Sequence, residues 1–188
     1  MIKIGITGSL ASGKTTASRF LSFRRGPLFS ADKVVKELYK NKKFKILVGR
    51  RFKINNNNQI KKYLKKLILE NSTNIRRLEK IIHPIVRKKM RNFTSQNKKK
   101  RFLFYEIPLL VESKLMKYFN VVIFIKARKK IRFKRFKSKI GDKKLFNLLN
   151  NKQMVDSKKI KFCDHVVVNE KNLSILKKNL SAIINKYE

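Results

Sequence analysis

The chain has 188 residues, of which 42% are hydrophobic, and its 50 basic and 11 acidic side chains give a formal net charge of +39. This length predicts one compact domain, and the hydrophobic fraction excludes a disordered chain. No apolar run approaches the roughly 20 residues that a membrane span needs, and the only cysteine, Cys163, excludes an internal disulfide framework. We expect a cytoplasmic protein, without a signal peptide because the chain opens on a strand-like run.

The first predicted elements are a short strand, a loop and a helix. Ile2, Ile4 and Ile6 alternate with other residues as they do in a strand. Residues 8–15 then match the phosphate-loop pattern G-x-x-x-x-G-K-[ST] at every fixed position, and apolar residues at helical spacing follow. Because the pattern lies between a strand and a helix, it predicts nucleotide binding.

A phosphate loop in this context has a defined mechanism. Backbone N–H groups of the loop and of the helix N-terminus point at phosphate oxygens, and Gly8 and Gly13 avoid side chains that would block the turn or the phosphate. We expect Lys14 to reach the β- and γ-phosphates of ATP and the Thr15 hydroxyl to bind Mg²⁺. The predicted ATP-binding residues are Gly8, Ser9, Ala11, Ser12, Gly13, Lys14, Thr15 and Thr16.

A second strand is predicted at residues 28–30, after a break at Gly26 and Pro27, and a helical pattern follows it directly. Asp32 lies at this junction. In a parallel sheet the junction is at the edge where ligands bind, so Asp32 is placed to take a proton from a hydroxyl that attacks the γ-phosphate. A helix N-cap residue would occupy the same place, and the sequence leaves both interpretations open.

Residues from about 40 to 97 have a different pattern, with apolar residues at helical spacing and few strand signals. They predict a helical insertion on the sheet. Residues 55–58 predict a turn between two of its helices. His83 and Pro84 interrupt a good helical pattern, which predicts a kink or a helix restart. A lone histidine beside a proline is more often structural than catalytic.

Two further acidic residues are candidates for the site, because the chain has only 11 acidic side chains. The apolar residues 102–105 predict a buried strand, and Glu106 ends it. An acid in that place in a phosphate-loop protein holds Mg²⁺, commonly through water. Glu112, shortly after it, is either a second acid of the same cleft or an exposed acid early in a helix.

Residues 121–125 predict the clearest buried strand, and a strongly basic helical run follows it. We expect a lid at about residues 128–160 that folds over ATP and supplies a cation to the transferring phosphoryl group. Arg135 is the first candidate, with Lys139 one helical turn later, and most of the remaining cations are expected on a solvated helix face. A last strand at residues 165–169 and a terminal helix from Asn172 complete the chain.

This order of elements predicts an α/β fold of the three-layer phosphate-loop NTPase type. It has a central parallel sheet, a helical insertion and a lid within a single domain of residues 1–188. Up to this point the residues indicate a phosphate-loop kinase.

Four stretches together resemble the dephospho-coenzyme A kinase family. They are residues 6–15, 30–32, 82–87 (Ile-His-Pro-Ile-Val-Arg) and 107–112 (Ile-Pro-Leu-Leu-Val-Glu). The last two are the specific ones, and the resemblance extends over nearly the whole chain. It implies a nucleotide-binding core, a helical domain that grips coenzyme A, and a lid. The implied reaction transfers the γ-phosphate of ATP to the ribose 3′-hydroxyl of dephospho-coenzyme A, giving coenzyme A and ADP.

The resemblance also implies individual roles. Asp32 would act as base or orient the attacking hydroxyl, Lys14 and Mg²⁺ would carry the developing charge, and Arg135 would act from the lid. The candidates for binding the acceptor are His83, Arg87 and Glu112.

The chain departs from the family pattern at three places. Ser30 stands where the family usually has the first Asp of an Asp-Ala-Asp run, which removes a carboxylate near Asp32. Residues 9–11 replace further glycines of the loop, and this affects the expected backbone path. Lys139 stands in place of a second lid arginine, so a bidentate contact becomes a single point charge.

Three other functions compete with this one. A nucleoside or nucleotide kinase would share the loop, the lid and the acid at the strand end. A nucleic-acid-binding ATPase would use the charge of +39, but the basic residues are spread along the whole chain. We therefore favour compositional drift with incidental, non-specific affinity for polyanions. An inactive relative is disfavoured by the intact loop and Asp32. We expect a monomer with no membrane partner.

Overall fold

The computed structural model describes residues 1–56, 59–140 and 142–188. The chain divides into two compact units, one made of Met1–Ser30 with Gln96–Glu188 and the other of Ala31–Ser95. The predicted turn at residues 55–58 lies partly outside the described residues, as does Gly141 in the predicted lid.

The first unit contains a five-stranded sheet in which every pair of neighbouring strands is parallel. The strands are β1 (Ile2–Gly8), β2 (Leu28–Ser30), β3 (Phe102–Glu106), β4 (Val121–Lys126) and β5 (His165–Val168). Their order across the sheet is β2-β3-β1-β4-β5, so β1 is central and the phosphate loop begins at its carboxyl end. All five strands predicted from the sequence are confirmed.

The helices of both units are α1 (Lys14–Ser22), α2 (Ala31–Leu38), α3 (Lys42–Phe52), α4 (Ile60–Glu70), α5 (Thr73–Gln96), α6 (Lys129–Ile140), α7 (Lys143–Lys152), α8 (Asp156–Ile160) and α9 (Leu173–Ile184). A short 3₁₀ helix lies at Met116–Tyr118. Helix α1 ends beside Phe23, as the break predicted at Gly26 and Pro27 requires. Among the described residues, no helix combines the length and the apolar character that crossing a bilayer requires.

Strands β1, β3 and β4 are buried on both faces along most of their length, which explains their continuous apolar runs. On one face Ile4 and Ile6 pack with Leu21 of α1 and Leu180 of α9, all with no exposed area. On the other face the fully buried ring of Tyr105 contacts a cluster of aromatic rings, namely Phe29, Tyr118 and Phe119. These two layers support the strand ends that carry the site.

The second unit consists of α2, α3, α4 and most of α5, and it has its own core. Val48, Ile60 and Leu64 are its most deeply buried residues. The predicted helical character of the insertion is confirmed, although the compact unit begins at Ala31 rather than near residue 40.

Helix α5 continues without interruption through Pro84, so the expected helix restart is wrong. Proline removes one backbone hydrogen bond of a helix. Its neighbours Ile81, Ile82 and Ile85 pack into the core of the second unit. We attribute the continuity of the helix to this burial, which offsets the lost hydrogen bond.

Candidate active site

The phosphate loop has three residues with positive φ: Gly8 at 149°, Ala11 at 58° and Gly13 at 100°. A Cβ atom on Gly8 would lie 2.3 Å from the carbonyl oxygen of Ile125 in β4, and one on Gly13 would lie 2.1 Å from Nδ2 of Asn169. Both glycines are therefore required by their backbone conformation and by a close approach. The result is a concave loop at the N-terminus of α1.

Lys14 and Thr15 occupy the first turn of α1, where the helix dipole favours an anion. The Lys14 ammonium donates to the carbonyl oxygen of Ser9 at 2.8 Å, so the side chain folds back over the loop. Lys14 is buried, whereas Thr15 and Thr16 are exposed. These residues have the placement that phosphate binding needs.

Glu106 lies at the carboxyl end of β3 and is only 1% exposed. Its Oε1 accepts a hydrogen bond from the Thr15 hydroxyl at 2.5 Å, and its Oε2 accepts one from the Ser30 hydroxyl at 3.0 Å. Strand register explains the second contact, because Ser30 in β2 is paired with Glu106. Ser30, which replaces a carboxylate of the family pattern, therefore donates a hydrogen bond to the buried acid.

The donor set at this point fits magnesium. Among the residues that the structure describes, no group of three or more His, Cys, Asp and Glu side chains is placed to hold a metal. Mg²⁺ does not need such a cage, because it is commonly held by one or two protein oxygens together with phosphates and water. The Thr15 hydroxyl and the Glu106 carboxylate are oxygen ligands of that kind.

Arg135 of α6 contacts the phosphate loop directly. Its Nη1 donates to the carbonyl oxygen of Ser12 at 3.2 Å, and its Nη2 donates to the carbonyl oxygen of Asn169 at 3.1 Å. The structure thus brings the predicted cation to the loop. Lys139, the second predicted lid cation, is exposed on the same helix.

Asn169 is a residue of this site that the sequence analysis did not select. Its Nδ2 donates to the Ser12 carbonyl oxygen at 2.8 Å, and the residue is 7% exposed. It follows β5 directly, just as Glu106 ends β3. Its position at the carboxyl end of a strand was therefore the available signal.

Arg132 was also missed, because the analysis expected most cations of α6 on a solvated face. The side chain is 6% exposed and donates to the carbonyl oxygen of Leu10 at 3.3 Å and to Oδ1 of Asn150 at 2.8 Å. Burial lowers the pKa of the guanidinium, and the nearby Asp156 carboxylate partly offsets that effect. The signal in the sequence was the spacing of four residues between Arg132 and the buried Phe136.

Glu112 lies in a series of turns after β3, so its interpretation as an exposed acid early in a helix is wrong. Its Oε1 lies 2.6 Å from Nζ of Lys159 and accepts a hydrogen bond from the backbone N–H of Met154 at 3.2 Å. Lys159 has no exposed area, and the Glu112 side chain is 19% exposed. A buried cation paired in this way is held in a defined place.

The remaining predicted residues lie in the second unit. Asp32 is exposed in the first turn of α2, one residue past the helix start at Ala31, so it does not occupy the N-cap position that was one of its interpretations. A carboxylate in a first turn is still favoured by the helix dipole. His83 is half-buried and Arg87 is exposed, one turn apart on α5. The roles of all three stay predictions.

Sequence comparison identifies close family relatives. A family model described as dephospho-CoA kinase matches residues 2–174. A dephospho-CoA kinase from Bartonella quintana is 33% identical over 186 residues, which cover 96% of this chain and 95% of that protein. One from Rickettsia bellii is 31% identical, covering 100% of this chain and 98% of the other.

Structural comparison supports the fold. A Thermus thermophilus protein matches with a TM-score of 0.77 and 24% identity, covering 98% of this chain and 97% of that one. A dephospho-CoA kinase from Campylobacter jejuni matches with a TM-score of 0.66 and 23% identity, covering 98% and 96%. The predicted phosphate-loop fold and the family resemblance are both confirmed. The family model and the two sequence relatives show that the chain, with its intact phosphate loop and the acid at the end of β3, belongs to the dephospho-CoA kinase family.

Proposed function

We propose that this protein transfers the γ-phosphate of ATP to the ribose 3′-hydroxyl of dephospho-coenzyme A, giving coenzyme A and ADP. The observation that carries the proposal is the phosphate loop, whose Thr15 contacts the buried Glu106 at the head of α1. Family membership selects the acceptor. The nucleotide would bind in the first unit, and the helices of the second unit, about residues 40–97 in the sequence prediction, would bind the acceptor. The protein would act as a monomer.

The residues of the loop would bind and orient the triphosphate. Backbone N–H groups at the start of α1 favour phosphate oxygens, and Lys14 would balance the charge that develops on the β- and γ-phosphates. Bound Mg²⁺ would neutralise further charge, and Thr15 and Glu106 are the side chains that would hold it. Arg135, which already donates to the backbone of Ser12 in the loop and of Asn169 after β5, would supply a fixed cation from a lid of about residues 128–160.

Asp32 would orient the acceptor hydroxyl and take its proton as the new O–P bond forms. Its exposed carboxylate, two residues after the end of β2, supports this role. His83, Arg87 and Glu112 are the candidates for contacts with the acceptor. Arg87 is exposed and so available to an anionic group, whereas Oε1 of Glu112 already accepts from Met154.

The first test is a coupled ADP-release assay with ATP, Mg²⁺ and dephospho-coenzyme A, followed by nucleosides and nucleoside monophosphates as alternative acceptors. We expect turnover with dephospho-coenzyme A and a product with the mass of coenzyme A. Turnover with another acceptor alone, or stimulation of ATP hydrolysis by DNA or RNA, would reject the proposal.

Replacing the proposed base tests the mechanism. Asp32→Asn keeps the size of the side chain but cannot accept the proton, so we expect kcat to fall about 100- to 1,000-fold while the KM for ATP stays within about twofold. Glu37→Gln on the same helix is the matched control, since its ion pair with Lys40 is exposed. Near-normal turnover of Asp32→Asn would show that another group is the base.

A further inference from the structure

The segment that follows α7, residues 153–159, includes most of α8 and holds the front half of the phosphate loop; we call it the latch segment. Oε1 of Gln153 accepts a hydrogen bond from the backbone N–H of Leu10 at 2.9 Å. The Asp156 carboxylate accepts one from the Ser9 hydroxyl. Two consecutive loop residues are therefore bound by side chains more than 140 positions away in the sequence.

The latch segment is itself anchored by Glu112. Glu112 accepts a hydrogen bond from the backbone N–H of Met154 at 3.2 Å, and the same oxygen lies 2.6 Å from the Lys159 ammonium. Lys159 is fully buried, so the Glu112 carboxylate takes the place of water beside its ammonium. A segment tied down in this way can hold Gln153 and Asp156 in fixed positions.

Both the backbone N–H and the carbonyl oxygen of Leu10 make hydrogen bonds with side chains. Gln153 accepts from its N–H, and the buried Arg132 donates to its carbonyl oxygen at 3.3 Å. Arg132 is held in turn by the carbonyl oxygen of Ala127 at 3.0 Å and by Oδ1 of Asn150 at 2.8 Å. The peptide groups on either side of Leu10 are therefore fixed in orientation.

The fixed orientation of the Leu10 peptide groups matters because the next residue, Ala11, has a strained backbone. Ala11 has a φ of 58°, in the left-handed region that residues with a Cβ atom rarely adopt. Such a conformation persists only where the surroundings determine it. The contacts of Ser9 and Leu10 with the latch segment are surroundings of that kind.

We propose that Gln153 and Asp156 are positioning residues, which hold residues 9–11 of the loop in the form that binds the triphosphate of ATP. They act through the loop backbone and the Ser9 hydroxyl. The inference rests on the proposed function only in taking ATP as the bound nucleotide. It does not depend on which acceptor receives the phosphate.

The test measures ATP–Mg²⁺ affinity by calorimetry in the absence of acceptor, together with KM for both substrates. Gln153→Ala and Asp156→Ala each remove one hydrogen bond to the loop, so we expect ATP to bind about 10-fold more weakly. Asp156→Asn keeps an oxygen that can accept from Ser9 and should stay within about twofold of the unchanged protein. The KM for dephospho-coenzyme A should not change.

Matched controls are Asn151→Ala on α7 and Ser157→Ala in the latch segment, both at exposed residues. They should bind ATP like the unchanged protein. If the Gln153 and Asp156 variants lose only thermal stability or active fraction while the folded fraction binds ATP normally, the positioning role is wrong. Failure of Asp156→Asn to restore affinity would also overturn it. Failure of the unchanged protein to bind ATP would instead refute the proposed function.

Discussion

The thiol of Cys163 has an environment that suppresses its ionisation. Burial, as the largest cause, and the carboxylates of Asp164 and Glu112 together raise its pKa from the ordinary value of 9.0 to about 11, against the opposing effect of Lys159. The thiol also lies 3.3 Å from the carbonyl oxygen of Lys159, to which it donates. Cys163 is therefore protonated at neutral pH.

The reactivity of this thiol gives a direct test. A pKa higher by two units leaves about 100-fold less thiolate at pH 8, so iodoacetamide should label Cys163 about 100-fold more slowly than a small free thiol. The rate should rise steadily as the pH approaches 11. The measurement is a labelling time course by mass spectrometry over a range of pH. Equal rates at pH 8 would contradict the inferred environment.

Ala11 stores backbone strain in the phosphate loop. A residue with a Cβ atom in the left-handed region costs about 1–2 kcal/mol, and glycine avoids that cost but loses about 0.5–1 kcal/mol through the greater entropy of its unfolded chain. Ala11→Gly should therefore change the free energy of unfolding by between about 0 and +1.5 kcal/mol. Ala17→Gly, at a buried helical position of α1, should destabilise by about 1–2 kcal/mol.

Urea unfolding of the two variants measures this difference. If Ala11→Gly destabilises as much as Ala17→Gly does, the left-handed conformation of Ala11 is not strained in solution.

The carboxyl ends of the parallel strands account for most of the site. The phosphate loop follows β1, Ser30 ends β2, Glu106 ends β3 and Asn169 follows β5. A parallel sheet brings these ends to one edge, where helix N-termini also begin. This is why an acid at the end of an apolar run was informative, and why the same reasoning applied to β5 would have selected Asn169.

Helix α9 packs on the sheet through Leu176, Leu180 and Ile184, and Asn172 caps it by accepting from the backbone N–H of Ile175 at 3.0 Å. Asn172→Ala removes this acceptor and should destabilise the protein by about 1 kcal/mol, whereas Asn172→Ser should retain most of the stability. The control is Lys171→Ala at the preceding exposed residue. Thermal unfolding followed by circular dichroism measures the effect, and a similar loss in Ser and Ala variants would contradict capping.

The net charge of +39 affects the stability of the whole molecule, because like charges repel one another. Four of the described ion pairs each have at least one exposed partner and contribute little, so most cations repel one another without compensation. Salt shortens the Debye length from about 30 Å at 0.01 M to about 8 Å at 0.15 M and weakens this repulsion.

We therefore expect the thermal midpoint to rise by at least about 2–4 °C, equivalent to about 1 kcal/mol, over this range of chloride concentration. Chloride is preferable to sulfate or phosphate, which would also bind the phosphate loop. Sodium and potassium salts should give the same rise, because screening depends on ionic strength. A midpoint that falls or stays constant with added chloride would show that the charges are not a net source of instability.

Features that depend on neighbours along the chain could be predicted from the sequence. The strand, loop and helix around Lys14, the buried strand that ends at Glu106, and the cation Arg135 on a basic helix all follow from local spacing and residue type. The restart that the sequence allowed at Pro84 does not occur, because burial of the surrounding isoleucines is a property of the folded unit.

Contacts between distant parts of the chain depend on packing, which local patterns do not encode. The sequence could not tell that Arg132 donates to the carbonyl oxygen of Leu10, or that Glu112 pairs with Lys159. Nor could it predict the hydrogen bond between Gln153 and Leu10, which lie 143 residues apart in the sequence. Residue type and periodicity therefore determined the chemistry of this protein, whereas the hydrogen bonds that hold its phosphate loop arise only when the layers of the fold pack together.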